Sequence, residues 1–195
     1  MRSCGMKALT LVGVLVLVLG GCGSLASPDP ESPYYAYPPG WAVQLNQVLP
    51  IDPGSATVRL QYGRIVPRNG VQEQDPFCIM EVDTLSNQVQ MLQPGRFEVM
   101  RVTRSVSDIT AAASSVIPPG YLKTGLGGGG DAPSFLYFIT TFSLRDASQP
   151  NIRSLRCAWD QMAPGNRTLM RHLTLDEMRQ ALGHWMTLVP PKERL

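Results

Sequence analysis

Apolar and polar residues alternate with a period of two along most of the chain from residue 56 onward. The first such segment places Val58 and Leu60 on one face and Arg59 and Gln61 on the other, as in a half-buried strand. Proline and glycine residues separate the apolar segments, and no internal repeat is visible. The pattern predicts strands at 56–62, 77–82, 97–106, 134–144 and 152–159.

Two of these segments depart from simple alternation. In 97–106 the alternation slips near Met100 and Arg101, which predicts a β-bulge. Segment 134–144 is apolar on both faces, which is typical of a central strand that is covered on both sides.

One helix is predicted near the carboxyl terminus. Thr174 and Glu177 have the spacing of a capping box. Apolar residues then recur at helical spacing and form one face toward the sheet, namely Leu175, Met178, Leu182 and Trp185. The predicted fold class is α+β and β-rich, an antiparallel sheet or sandwich of about five to six strands with a C-terminal helix at about 174–184 packed on it. Residues 41–195 are enough for a single domain with one core.

The amino terminus has the layout of a secretory signal. Arg2 and Lys7 precede an apolar run at 8–19. This run is shorter than the about 20 apolar residues that a membrane-spanning helix needs. It ends in Leu19-Gly20-Gly21-Cys22, which resembles the lipobox of bacterial lipoproteins.

The resemblance implies that residues 1–21 are a signal peptide and that Cys22 carries lipid, a diacylglyceryl group and commonly a further acyl chain such as palmitate. Several acyl chains make a stable anchor where one is marginal. Residue 23 is Gly, not the Asp that commonly retains lipoproteins at the inner membrane. We therefore expect a lipid-anchored protein of the outer membrane that faces the periplasm. The alternative is an ordinary secretory signal in which Cys22 is incidental.

Net charge argues against nucleic acid as a partner. The chain has 17 Lys plus Arg and 15 Asp plus Glu, a formal charge of +2. Both surplus charges belong to the predicted signal, so the remainder is neutral. A protein built to bind nucleic acid is usually strongly basic.

Cys78 and Cys157 are the cysteines that remain once Cys4 leaves with the signal and Cys22 carries lipid. In an oxidising periplasm two such cysteines usually pair, and we predict a disulfide between them. A bridge across this sequence separation would contribute roughly 4 kcal/mol in the loop-entropy model. The alternative is two separate buried thiols.

Residues 22–40 are rich in proline and predict an extended spacer between the membrane and the domain. Aromatic residues complicate this picture, namely Tyr34, Tyr35, Tyr37 and, just beyond, Trp41. They would either pack on the domain, which we favour, or lie at the lipid interface.

Residue patterns that carry known chemistry are weak in this chain. The glycine run at 125–130 has no following Lys and precedes a predicted strand, so it is interpreted as a loop and not as a phosphate site. Lys123-Thr124-Gly125 has no Ser-x-x-Lys partner, which excludes the penicillin-recognising serine enzymes. His172 and His184 flank the predicted helix without a nucleophile motif. We therefore assign no catalytic residue, cofactor or metal ligand.

Arginines occur on two of the predicted strands. Arg96, Arg101 and Arg104 lie on one, and Arg153 and Arg156 on another. If these strands were neighbours, they could form a patch for an anionic partner such as a lipid headgroup or polysaccharide. A solvated sheet face with acidic neighbours such as Glu98 is the favoured interpretation.

The domain also resembles uncharacterised bacterial lipoproteins in which a Cys-containing β region precedes a His-Leu-Thr-Leu helix start, here His172 to Leu175. That resemblance implies no activity. We expect a non-enzymatic protein, held at the membrane by lipid on Cys22, whose β-rich domain binds an envelope protein or other component by edge-strand pairing or an exposed face. The alternatives are an envelope hydrolase with an unidentified active site and a binder of a small apolar ligand.

Overall fold

The computed structural model describes residues 26–107, 137–160 and 170–191. The predicted signal peptide, the lipobox with Cys22 and the glycine run at 125–130 lie outside the described residues, as do residues 134–136 of one predicted strand. No helix in the described ranges is long and apolar enough to cross a membrane.

The described residues form ten strands and one helix. Their order is β1 (Ala42–Leu45), β2 (Leu49–Ile51), β3 (Ser55–Gln61), β4 (Arg64–Val66), β5 (Phe77–Ser86), β6 (Gln90–Leu92), β7 (Gly95–Ser107), β8 (Tyr137–Arg145), β9 (Ile152–Asp160), α1 (Leu175–Leu182) and β10 (Met186–Val189). Eight strands make one curled antiparallel sheet in the order β10-β1-β7-β8-β9-β5-β3-β4, and β2 pairs with β6 separately.

The predicted fold class is confirmed, but the predicted number of strands is wrong. The main sheet has eight strands and not five to six. The five predicted strands are β3, β5, β7, β8 and β9, and they occupy consecutive positions within the sheet. The missed strands β1, β4 and β10 have only three or four residues each, which is too short for an alternating pattern to be recognised.

The predicted bulge is confirmed in β7. Val99 pairs with Leu144 and Arg101 pairs with Ser143, so Met100 is an extra residue on β7. As a result, the residues that face the core change from odd to even numbers along this strand. Phe97 and Val99 are buried in the core before the bulge, whereas Val102 packs against the core after it.

The core lies between one face of the sheet and α1. The helix buries Leu175, Met178 and Leu182, as expected from their spacing, and it also buries Ala181. Each large apolar side chain buried here contributes about 1.5–3 kcal/mol relative to exposure. We call this side of the sheet the core face and the opposite side the groove face.

The start of α1 is fixed by a capping box, and its end lies earlier than predicted. At its start the Thr174 hydroxyl accepts from the Glu177 amide at 3.3 Å, and the Glu177 carboxylate accepts from the Thr174 amide at 2.8 Å, which is the predicted capping box. The helix ends at Leu182, two residues before the predicted end. Trp185 therefore follows the helix and packs partly against the core.

Aromatic residues of the segment before β1 pack on the domain. The Tyr35 side chain is buried, and the rings of Tyr35, Tyr37 and Trp41 contact one another edge to face. Tyr37 also contacts Phe142 of β8, with ring centroids 5.3 Å apart. The same segment reaches α1, because Glu31 accepts a hydrogen bond from the Asp176 amide at 2.8 Å.

Candidate functional site

The predicted disulfide joins two neighbouring strands at the centre of the fold. Cys78 of β5 and Cys157 of β9 are register partners, and their sulfur atoms are bonded at 2.06 Å. Both residues are fully buried on the core face. The bridge is therefore part of the core and not an accessible redox site.

A groove of about 1350 Å³ lies on part of the groove face of the sheet. Its floor is built from register partners on five adjacent strands, β3, β5, β9, β8 and β7. One row across the floor is Thr57, Glu81, Ser154, Ser143 and Arg101, and the next is Arg59, Ile79, Arg156, Thr141 and Thr103. Alternation along each strand explains this polar surface, since residues that flank a core position point to the opposite face.

Arginine dominates the charge of this groove. Among the described residues its lining includes five arginines, Arg59, Arg68, Arg101, Arg153 and Arg156, but only two acids, Asp52 and Glu81. Arg153 is mostly exposed and lies 3.9 Å from Asp83, so the two residues form only a weak ion pair. The groove therefore carries an excess of positive charge, although the predicted mature chain is neutral.

Glu81 is held firmly inside the groove. Its carboxylate accepts from the Ser154 hydroxyl at 2.6 Å and from Arg156 Nη1 at 2.8 Å. The Glu81 side chain is only 16% exposed, so this pair is sheltered from solvent. Glu81 consequently neutralises Arg156, and no other carboxylate of comparable burial pairs with a groove arginine among the described residues.

Arg59 and Arg68 form a like-charged pair at the β3 side of the groove. Burial lowers the pKa of Arg59 first, the charge of Arg68 lowers it further, and Glu81 acts in the opposite direction. An arginine stays charged despite such a shift. The Arg59 guanidinium donates to the Thr57 hydroxyl at 3.3 Å. Two cations that repel each other above a polar floor favour an anion between them.

The arginine patch considered from the sequence is only partly present. β7 and β9 are not neighbours, because β8 lies between them. Arg101, Arg153 and Arg156 nevertheless line the same groove, whereas Arg96 and Arg104 do not. The bulge explains why Arg104 does not line the groove, because it places this residue on the core face, where it pairs with Thr140.

Sequence reasoning missed Arg59 and Arg68 as site residues. Arg59 carried a usable signal, since its position between Val58 and Leu60 places it opposite the core. Arg68 lies in a short 3-10 turn, Arg68–Gly70, where no periodicity specifies its direction.

The two histidines lie at opposite ends of α1. His172 packs edge to face on Phe138 of β8, with ring centroids 5.5 Å apart, and His184 stacks at a tilt on Trp185. Burial, and then the charge of Arg104, lowers the pKa of His172 to about 4. No group of three His, Cys, Asp or Glu side chains able to hold a metal ion occurs in the part of the chain that the structure describes.

Comparison with known proteins yields no relative from which a role could be transferred to these residues. No family model, no curated protein and no solved structure matches the chain.

Proposed function

We propose that this chain is a lipid-anchored protein of the bacterial envelope whose domain binds an anionic glycan in the arginine-lined groove. The observation that carries the proposal is the groove floor itself. It combines hydroxyl side chains on four strands with arginines at both sides, among them Arg59 on β3 and Arg101 on β7. Hydroxyls suit the polar groups of a sugar, and guanidinium groups suit carboxylate or phosphate substituents.

The width of the groove favours an extended ligand over a single small anion. Adjacent strands are about 4.8 Å apart, so β3 and β7 are separated by roughly 19 Å across the floor. An exposed charge pair contributes only about 0.2–1 kcal/mol. Useful affinity therefore requires a chain whose anionic groups contact several arginines at once.

Binding by an exposed face is better supported than edge-strand pairing. The edge strands of the main sheet are β4 and β10, with three and four residues. Pro67 directly follows β4, and Pro190-Pro191 follow β10. Short edges next to proline are poor templates for an added strand.

The glycan proposal is tested with polygalacturonate as the probe and neutral dextran as its uncharged control. Titration calorimetry at several salt concentrations should show binding of polygalacturonate that weakens as salt rises. The double variant Arg59→Gln with Arg68→Gln should bind at least about tenfold more weakly, equivalent to about 1.4 kcal/mol. Arg96→Gln is the matched control, since Arg96 is an exposed arginine outside the groove. Equal binding of dextran, or an unchanged affinity of the double variant, would contradict the proposal.

The lipid anchor is tested separately by cell fractionation. Cys22→Ala should move the protein from the membrane fraction to the soluble fraction, since it removes the only residue that the lipobox can acylate. Retention of Cys22→Ala in the membrane fraction would show that another feature holds the protein there.

A further inference from the structure

The small sheet formed by β2 and β6 has an unusual distribution of apolar residues. Its inner face belongs to the core, where Leu49, Ile51 and Leu92 are buried. A sheet that packs one face on a core usually presents polar side chains on the other face. The outer face of this sheet presents apolar side chains instead, which the packing of the core does not explain.

Alternation along the two strands assigns the residues of the outer face. Pro50 and Met91 are register partners that flank core positions, so their side chains point away from the core. Val48 and Val89 precede them by two residues and share this face. Met91 is 55% exposed, and both valines are exposed. Scattered apolar residues on a surface are ordinary, but a contiguous group of them indicates an interaction site.

The outer face of the small sheet continues into the arginine-lined groove. Pro50 lines the groove, and so does Leu85 near the end of β5, whose side chain is 69% exposed. We call Val48, Pro50, Leu85, Val89 and Met91 the aliphatic patch. The aliphatic patch therefore adjoins a surface that is cationic and lined with hydroxyl groups.

Side-chain hydrogen bonds fix the small sheet to strands that carry the groove. The Gln90 amide nitrogen donates to the Thr84 carbonyl at 3.0 Å and to the Ser55 carbonyl at 3.3 Å. The Thr84 hydroxyl donates to the Gln90 side-chain oxygen at 3.1 Å. These contacts join β6 to β5 and β3, so the aliphatic patch is preformed beside the groove. Binding across both surfaces then requires little ordering of the protein.

A groove arginine lies close to the aliphatic patch. The Arg153 Nε atom is 3.9 Å from the Asp83 carboxylate, and Asp83 precedes Leu85 by two residues on β5. Residues two apart on a strand share a face and are about 7 Å from each other. Because the ion pair with Asp83 is exposed and weak, Arg153 can contact an anionic group of a ligand whose apolar part lies on Leu85.

The dimensions of the small sheet suit an acyl chain better than a protein. Its strands have three residues each, so its outer face is about 10 Å long, with the strands about 5 Å apart. A stable protein interface covers about 800 Å² on each partner and is rich in aromatic residues. The aliphatic patch contains Val, Leu, Met and Pro alone. A single hydrocarbon chain needs only such a narrow strip.

We propose that the anionic glycan carries an acyl chain, which packs on the aliphatic patch while the charged sugars contact the groove arginines. This step rests on the proposed function and makes the ligand an acidic glycolipid. An amphiphile of this kind matches the protein on both counts, since hydrocarbon gains by leaving water and carboxylate or phosphate groups pair with guanidinium groups.

The test compares polygalacturonate with and without sparse octyl amide side chains. The full-length protein is held in phosphatidylcholine nanodiscs, and empty nanodiscs give the blank. The parent should bind the octyl form at least about tenfold more tightly than the unmodified form, because burial of about two methylenes is enough for that factor. Dextran with the same octyl groups should bind weakly, since it has no carboxylates for the arginines.

Val89→Ser with Met91→Ser should remove most of the octyl gain. It should leave binding of unmodified polygalacturonate unchanged, because neither residue belongs to the described lining of the groove. Met100→Ser with Val106→Ser is the matched control, since these exposed residues of β7 lie outside both the described lining and the aliphatic patch. Leu85→Ser is the second variant if the first fails to fold, and it should lower the ratio of the two affinities.

The outcomes separate this inference from the proposed function. Equal affinity of the parent for the octyl and unmodified forms would overturn the acyl chain and leave the groove proposal standing. An octyl gain that persists in the Val89–Met91 variant would also overturn it, because the chain would then lie elsewhere. Failure of the parent to bind either form would contradict the groove proposal, and this inference with it. If Cys22→Ala bound phosphatidylcholine vesicles through Met91 without any octyl gain, the aliphatic patch would be a membrane contact instead.

Discussion

Gly183 and Gly63 contact each other backbone to backbone, where the β3–β4 turn meets the end of α1. A Cβ atom on Gly183 would lie 2.3 Å from the Gly63 Cα atom. The Gly63 amide donates to the Ala181 carbonyl at 3.1 Å across this contact. The contact joins the β4 edge of the curled sheet to the helix, and β10 at the opposite edge follows that helix after three residues.

Gly183→Ala should destabilise the domain strongly. Gly183 has φ 55° and ψ −135°, a conformation that side chains disfavour by about 1–3 kcal/mol. The clash with Gly63 is against backbone and cannot be relieved by a rotamer change. We expect a loss of at least about 3 kcal/mol in the free energy of unfolding, measured by urea titration.

Gly54→Ala is the matched control for this prediction. Gly54 also has a positive φ, of 74°, but no atom of the residues that the structure describes lies within 4 Å of its added Cβ atom. Its variant should lose only about 1 kcal/mol, the cost of the backbone conformation alone. Equal losses in the two variants would show that the contact between Gly63 and Gly183 does not matter to stability.

Loss of the Cys78–Cys157 bridge should also lower stability. The two cysteines are 79 residues apart, and a bridge across such a loop typically contributes about 2–4 kcal/mol. The double variant Cys78→Ala with Cys157→Ala should therefore unfold at a lower urea concentration than the oxidised protein. Alkylation of the unfolded, unreduced protein should label neither residue. Labelling of both, or a reductant that leaves the midpoint of the parent unchanged, would contradict the bridge.

Only some of the features that form the groove could be predicted from the sequence. Long alternating segments specify β3, β5, β7, β8 and β9, because a period of two over many residues has no competing interpretation. The order of these strands, in which β8 separates β7 from β9, results from long-range pairing. For that reason the arginines on β7 and β9 could not be assigned to one surface in advance.

Arg104 shows how one local irregularity changes the role of a residue. With regular alternation from Phe97 onward, Arg104 would lie on the polar face beside the groove. The bulge at Met100 turns it toward the core face, against Tyr37. The bulge was visible in the sequence, but the packing of Tyr37 on β8 was not, because that contact crosses about a hundred residues.

Glu81→Gln should lower the stability of the domain but strengthen ligand binding in the groove. The substitution removes the negative charge that holds Arg156 and Ser154. Because the ion pair is mostly buried, breaking it should cost about 1–3 kcal/mol in unfolding free energy. The freed Arg156 should at the same time strengthen polygalacturonate binding by up to about fivefold. Asp83→Asn is the control, because Asp83 is exposed and its 3.9 Å contact with Arg153 is a weak ion pair. Weaker binding in Glu81→Gln would mean that Glu81 itself contacts the ligand.

His172 should make the domain less stable in mild acid. Burial, followed by the positive charge of Arg104, lowers the pKa of His172 from 6.5 to about 4 in the folded protein. Between these two values the unfolded chain binds a proton that the folded protein does not, so stability rises with pH there. The contribution is complete above pH 6.5 and is lost as pH falls toward 4. Because the imidazole is only partly buried, we expect about 1–2 kcal/mol in all.

Urea titrations at several pH values between 4 and 7 measure this dependence. His172→Gln should flatten the slope of unfolding free energy against pH across the window, because glutamine has no proton to gain. His184→Gln, at the opposite end of α1, should retain the slope of the parent. Arg104→Gln should narrow the window from its acidic end, since it removes the cation that opposes protonation of the imidazole and so raises the pKa of His172 in the folded protein. If His172→Gln and His184→Gln changed the slope equally, the burial of His172 against Phe138 would not be the cause.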